Sequence, residues 1–328
     1  MIIVTGGAGF IGKHLVKRLE AEGQECFVLD NHWRATTLPP RFDGLGSFDI
    51  TDADDVYEAF IRAGGYDVKE VIHLAYINGT RHFYERPYEV MEVAMRGMLN
   101  ILQHCKSFRV KKFTLVSSSE VCRFKTVDSD EAIPLVIPDP YNARYSYSAG
   151  KIMSEMMALH CGLFDKLTVV RPFNIYGPGM SPGHVIPDLI AQFEEYKDRD
   201  RVIIKILGSG SETRSFCYID DFIDGLMIAR EKGEHRGIYN VGVTHETSIA
   251  HLADIIGAVR GQLVTIQCGS QWREGDLPRR RPDISKLAAL GYQPKWTLWN
   301  GLKATMERGN HVDAPDRTKA ETEISASK

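Results

Sequence analysis

The chain has 328 residues, room for about two domains of ~150 residues, or for one large α/β domain with a cap. Its 40 Lys+Arg against 43 Asp+Glu give a net charge of -3, which argues against a nucleic-acid-binding surface but leaves room for a local anion site. A hydrophobic fraction of 43% excludes disorder for most of the length, no apolar run reaches the roughly 20 residues of a membrane span, and six scattered cysteines without a CxxC pair imply neither a metal nor disulfides.

In chain order, Ile2-Val4 is an apolar strand that starts at once, without the basic region or cleavage site of a signal peptide. An amphipathic helix follows over Gly12-Ala21, then strands at Cys26-Leu29 and Val71-Leu74. Val90-Cys105 has helical spacing, Lys112-Val116 is a strand, Tyr147-Leu159 is helical and Leu167-Val170 is another strand. This βαβ alternation predicts a Rossmann-type doubly wound parallel α/β sheet, with ligands on the rim at the strand carboxyl ends. After about residue 176 the texture changes. Gly177-Gly183 is a loop, followed by a helix at Val185-Tyr196, a strand at Val202-Ile206, a turn at Gly208-Gly210, a helix near Asp220-Glu231 and a strand near Tyr239-Val241. The expected layout is a cofactor-binding domain over 1–176, to which 214–242 returns. A smaller C-terminal α/β substrate cap spans 177–213 and 243–309, and 310–328 is expected to be a disordered polar tail. A reducing cytoplasm is the simplest compartment.

Two motifs carry chemistry. Thr5-Gly6-Gly7-Ala8-Gly9-Phe10-Ile11-Gly12 joins the first strand to the first helix. Gly6 suits a tight turn, Gly9 a close pyrophosphate and Gly12 a tightly packed helix whose N-terminus faces the anion. Asp30 ends the second strand, where a carboxylate accepts from ribose hydroxyls and disfavours a 2′-phosphate. That favours NAD over NADP, although Arg34 lies near. Second, Tyr147 and Lys151 stand at i,i+4 on one helix face, where an ammonium lowers a phenol's pKa and readies it as a base. Ser117-Ser118-Ser119-Glu120 follows the Lys112-Val116 strand on the same rim. A serine there suits a proton relay to Tyr147, and at least one serine is expected to cap the next segment.

Together with His73-Leu74-Ala75 and Arg171-Pro172-Phe173-Asn174-Ile175-Tyr176-Gly177-Pro178, these motifs make residues 1–308 resemble the extended short-chain dehydrogenase/reductases. These are NAD-dependent nucleotide-sugar epimerases, dehydratases and decarboxylases. The resemblance implies catalytic roles for Ser118, Tyr147 and Lys151. It implies cofactor contacts from Gly6, Gly9, Phe10, Ile11, Gly12, Asp30, Asn31, Asp49, Ile50, Leu74, Ala75, Tyr147, Lys151 and Pro172. Asn174, Arg214 and Arg280 would hold the nucleoside diphosphate sugar, with Arg279 and Arg281 as competitors for the third place, and Ser119 would lie beside the sugar. The polar, aromatic segment after Ala75 adds Thr80, His82 and Tyr84 as candidate substrate contacts. A homodimer built on the faces of Val90-Cys105 and Tyr147-Leu159 is also implied.

Glu120 separates the reaction types. The family oxidises sugar C4, and the resulting ketone acidifies C5–H. Glu120 is then a candidate C5 acid/base, or a carboxylate that caps or pairs with an arginine. Ser-Glu at this place resembles dehydratases and UDP-glucuronate decarboxylases more than plain 4-epimerases. Most dehydratases, however, carry an acid at Ser119, and decarboxylases usually carry arginine at Gly179. Two further departures are Cys122-Arg123 in place of Tyr-Gly, and Ala94 in place of an asparagine. The expected activity is a nucleotide-sugar epimerase or dehydratase acting through a 4-keto intermediate. Its competitors are a 4-epimerase, a decarboxylase, a net oxidoreductase releasing NADH and a non-catalytic dinucleotide sensor.

Overall fold

The computed structural model describes residues 1–33, 46–123, 127–269 and 275–309, so Arg34 and the 310–328 tail lie outside the described residues. Six parallel strands form the main sheet: β1 (Ile2–Thr5), β2 (Cys26–Leu29), β3 (Glu70–His73), β4 (Lys112–Val116), β5 (Lys166–Pro172) and β10 (Gly237–Val241). Their order is β10-β5-β4-β3-β1-β2, with a reversal of direction at β1/β3. Alternate residues enter opposite cores, as a two-sided sheet requires. Ile2, Val4 and Ile72 face one core, whereas Ile3, Val71 and Leu115 face the other.

On the first face lie α1 (Phe10–Ala21) and α8 (Ile219–Lys232), which bury Leu15, Leu19, Phe222 and Leu226. On the second lie α2 (Ala53–Arg62), α5 (Met98–Ser107) and α6 (Ser146–His160), with Val56, Phe60, Met98, Ile101 and Ala158 inward. The side chain of Asp52 caps α2 by accepting from the Asp54 and Asp55 amides. The helical stretch expected at Val90-Cys105 is interrupted. It consists of α4 (Pro87–Glu92), a π-turn at Val93–Gly97 and α5, preceded by the short α3 (Thr80–Glu85). Gly97 lets the π-turn pack closely on Ile50, whose Cδ1 would lie 2.4 Å from a Cβ there and would have to move to admit one.

The smaller part contains β6 (Ile175–Tyr176), paired with β9 (Cys217–Tyr218), and β7 (Arg201–Ile206), paired with β12 (Leu263–Cys268). A three-stranded sheet has the order β11-β8-β13, formed by Thr247–Ser248, Thr213–Arg214 and Arg279–Arg280. α7 (Val185–Glu195) and α9 (Ile249–Arg260) cover β7 and β12 with Leu189, Phe193, Leu252 and Ile256. α10 (Ser285–Ala288) and α11 (Leu298–Gly309) complete it. The β8/β13 pairing matters for the site, since it places Arg214 beside Arg280 in register.

Candidate active site

A cavity of about 890 Å³ runs along the carboxyl ends of the sheet, from the glycine turn to the arginines of β8 and β13. Gly6, Gly9, Phe10, Ile11, Gly12, Asp30, Asn31, Asp49, Ile50, Leu74, Ala75, Ser118, Ser119, Glu120, Tyr147, Lys151, Pro172, Asn174, Arg214, Arg280 and Thr80 all line it. His82 and Tyr84 are not brought to it. α3 turns Thr80 and Phe83 inward at i,i+3, which leaves Tyr84 40% exposed and packs His82 on Trp33 at 5.1 Å.

At one end the chain is shaped for close approach. Gly6 has φ +70, and a Cβ on it would lie 2.7 Å from Ala75 N. A Cβ on Gly12 would lie 2.2 Å from Gly6 O. α1 has no side-chain cap at Gly9, so its first amides stay open to a ligand. Asp30 is held by the amides of Ala8 (3.0 Å) and His32 (2.8 Å). Asp49 accepts from Thr51 and, at 2.9 Å, from Asn31 Nδ2, which fixes Asn31 beside Asp30. Burial works against the Asp49 charge, but the Thr51 and Asn31 bonds outweigh it and keep the carboxyl below its usual range.

The middle of the cavity holds the acid–base pair. Tyr147 and Lys151 are both buried on α6. Lys151 Nζ donates to Val116 O at 2.8 Å and lies 5.9 Å from the Tyr147 ring centre. Burial pushes the ammonium down to about 7, against an upward pull from Glu155. Phe83 stacks on Tyr147 at 4.6 Å, and Tyr76 meets it edge-on at 5.0 Å. Ser118 Oγ accepts from the Glu120 amide at 3.1 Å, so it caps the 3-10 turn Ser119–Val121 while facing the cavity. Ser117 instead donates to Glu155, which also forms a two-armed ion pair with Arg171 behind the site.

At the far end Glu120 is surrounded by guanidinium groups. Arg280 Nη1 donates to it at 2.6 Å, Arg123 bonds its other oxygen, and Arg144 Nη2 lies 3.5 Å away. Burial opposes this charge, but the three arginines win and hold the carboxyl far below the usual range. Arg144 also bonds Asp276 at 2.6 Å, and Arg123 lies over the Tyr145 ring at 4.8 Å. With Arg214, four guanidinium groups face two carboxylates. Burial, then the Arg280 charge, pushes Arg214 down to about 10. Arg144 Nη1 and Arg280 Nη2 are buried without a hydrogen-bond partner among the described residues. Such a surplus calls for an anion. Arg279 and Arg281 point elsewhere, to Glu246 and Asp128.

A model of the NAD dependent epimerase/dehydratase family matches residues 2–242. The chain belongs to that family. It is 31% identical over 313 residues to UDP-glucuronic acid decarboxylase 1 of Arabidopsis thaliana, covering 92% of this chain and 68% of that one. It is 29% identical to UDP-N-acetyl-alpha-D-glucosaminuronate decarboxylase of Bacillus cytotoxicus, over 93% and 96% of the two chains. The chain thus spans about two thirds of the length of UDP-glucuronic acid decarboxylases 1 and 4 of Arabidopsis thaliana. Among solved structures, UDP-glucose 4-epimerase of Thermus thermophilus in complex with NAD superposes with TM-score 0.78 at 25% identity, covering 95% and 99%.

A member of this family is an NAD-dependent enzyme, and the cavity fits that cofactor. Gly6 and Gly12 let the turn pack on the backbone of Leu74–Ala75 and on itself, the uncapped first amides of α1 suit a pyrophosphate, and Asp30 with Asn31 suits a ribose. Four residues of the site escaped sequence reasoning: Tyr76, Phe83, Arg123 and Arg144. Arg123 left a local signal by replacing the family's glycine, and Tyr76 and Phe83 lie in the polar, aromatic segment after Ala75. Arg144 shows no pattern of its own, since its partners Glu120, Asp276 and Gly275 are distant in sequence.

Proposed function

We propose that this enzyme decarboxylates a nucleoside diphosphate uronate, with UDP-glucuronate the first candidate. One observation carries the proposal: Glu120 is fastened by Arg123, Arg144 and Arg280. A carboxylate held so far below its usual range is a poor base for C5–H. Dehydration through C5–H abstraction needs such a base, whereas decarboxylation does not. Once C4 is a ketone, the C5–C6 bond of a uronate is that of a β-keto acid. It breaks with its electron pair moving into the C4 carbonyl, CO2 leaves, and C5 of the enolate takes up a proton. The surplus of buried guanidinium groups suits a substrate with both a diphosphate and a carboxylate, and the two decarboxylase relatives support the same conclusion.

NAD, held by Gly6, Gly9, Gly12, Asp30 and Asn31, would supply the hydride acceptor for C4 oxidation and the hydride for the final reduction. The chain's residues handle protons and charge. Tyr147 takes the C4 hydroxyl proton, Ser118 orients that hydroxyl, and the Lys151 ammonium favours the phenolate. Asn174 and Arg214 hold the diphosphate, and Arg280, aligned by Glu120, faces the sugar. Residues 1–176 with 214–242 form the cofactor-binding part, which also brings Ser118, Tyr147, Asn174 and Arg214 to the substrate, and the remainder of the described chain forms the substrate cap. Plain 4-epimerisation is the second reading, favoured by Gly179, which carries no side chain where decarboxylases usually place arginine.

Incubation of the enzyme with nucleoside diphosphate uronates and neutral hexoses separates the two. The expected result is CO2 release from a uronate without net NADH, with a loss of about 10²–10⁴-fold in Tyr147→Phe. Inversion at C4 of a neutral hexose with no turnover of any uronate contradicts the proposal.

We also assign the enzyme to a reducing cytoplasm and to a homodimer. All six cysteines are free thiols, four of them buried, and no described helix is long and apolar enough to cross a membrane. Tyr88, Met91, Met95, Leu99, Met153 and Met156 are exposed on the neighbouring surfaces of α4, the π-turn, α5 and α6. Such an apolar stripe favours a second copy.

A further inference from the structure

We infer that Tyr76 is a positioning residue that seats the Lys151 ammonium on its ring face. The ring centre lies 4.0 Å from Lys151 Nζ, within the range of a cation–π contact. Lys151 is buried, and its one hydrogen bond described is to Val116 O. A cation removed from water needs more than one carbonyl, and the ring face supplies negative potential without taking its proton.

The space for this ring is built into two other positions. Ala94 stands where the family often carries an asparagine, and its small side chain leaves room. A Cβ on Gly150 would lie 2.1 Å from Tyr76 Oη and 2.7 Å from Ala94 Cβ. Tyr76 Oη reaches back to Tyr147 O at 3.4 Å, and its ring meets that of Tyr147 edge-on. Tyr76, Ala94 and Gly150 are therefore a matched set around the acid–base pair. Burial and the Tyr147 charge push the Tyr76 phenol well above its ordinary value, so it stays neutral beside the ammonium.

Lys151 is faced by Tyr147 and Glu155 of α6, His73 of β3, Tyr76 and, beyond Glu155, Arg171 of β5. Burial, then the Lys151 charge, pushes His73 down to about 3, so His73 is neutral near pH 7. The seat is thus testable as a change in the titration of the pair. Phenylalanines with increasing fluorine content at position 76 keep the shape of Tyr76→Phe and progressively cancel the ring's negative face. The readout is phenolate absorbance of the NAD-loaded enzyme against pH, with Tyr147→Phe subtracted to isolate Tyr147. It requires no sugar substrate, so it is independent of the decarboxylase proposal. The expected result is that Tyr76→Phe keeps the wild-type midpoint, while the fluorinated series moves it upward stepwise by about one pH unit in total. Tyr76→Leu, which removes the ring, moves it in the same direction. A midpoint unchanged across the fluorinated series, in enzyme that retains NAD, overturns the inference.

Discussion

Glu120 and Lys151 show how burial and neighbours set opposite fates for two charges in one cavity. Glu120 meets three guanidinium groups and stays ionised, whereas Lys151 meets a carbonyl and a ring and is pushed down to about 7. Glu120→Gln leaves three buried arginines short of a counter-charge, a loss of about 3–5 kcal/mol by analogy with other broken buried pairs. The variant is expected to unfold at lower denaturant and to turn over more slowly. Its rate profile between pH 5 and 9 should keep the wild-type limbs, because Glu120 does not titrate there; pH-dependent turnover measurements check this. Lys151→Met tests the other charge. A lysine with a depressed folded pKa binds fewer protons folded than unfolded, so the folded state suffers most below about pH 7 and is relieved as pH rises toward 10.5. The methionine variant should therefore melt higher than wild type at pH 6, with a gap that shrinks by pH 10, while losing activity. Thermal scans across that range read the gap directly.

Elements explain what was legible in the chain. The strand–turn–helix from β1 to α1, the acid ending β2 and the Tyr147/Lys151 pair are local patterns, set by spacing over a few residues, and the sheet follows from them. Gly12 illustrates the constraint. Gly12→Ala places a Cβ 2.2 Å from Gly6 O and should weaken NAD retention by at least about tenfold, measured as cofactor content after gel filtration. Half of the arginine cluster was hidden: Arg123 comes from the loop after β4 and Arg144 from the turn before α6, and only the folded chain unites them with Arg214 of β8 and Arg280 of β13. In the polar, aromatic segment after Ala75, helical phase brings Thr80 to the cavity and leaves His82 and Tyr84 off it. α3 gives Phe83 to Tyr147 and sends His82 and Tyr84 away. The π-turn was equally invisible, since one extra residue per turn leaves no compositional mark.

The whole molecule places a cofactor cradle and an anion-hungry cluster at two ends of one cavity, with an acid–base pair between them. Net charge of -3 gives no hint of this, because the four arginines of the cluster are offset elsewhere on the chain. On the outer surface, Leu99→Glu combined with Met156→Glu should convert a dimer to a monomer, which light scattering after gel filtration reports. The fate of substrate C6 tests the decarboxylation most directly. UDP-glucuronate labelled with 13C at C6 is incubated with the NAD-loaded enzyme in deuterated water and followed by NMR. All the label is expected to leave as CO2, and the UDP-pentose to carry one deuterium at C5. Label retained in a six-carbon product, whether inverted at C4 or dehydrated, contradicts the decarboxylation.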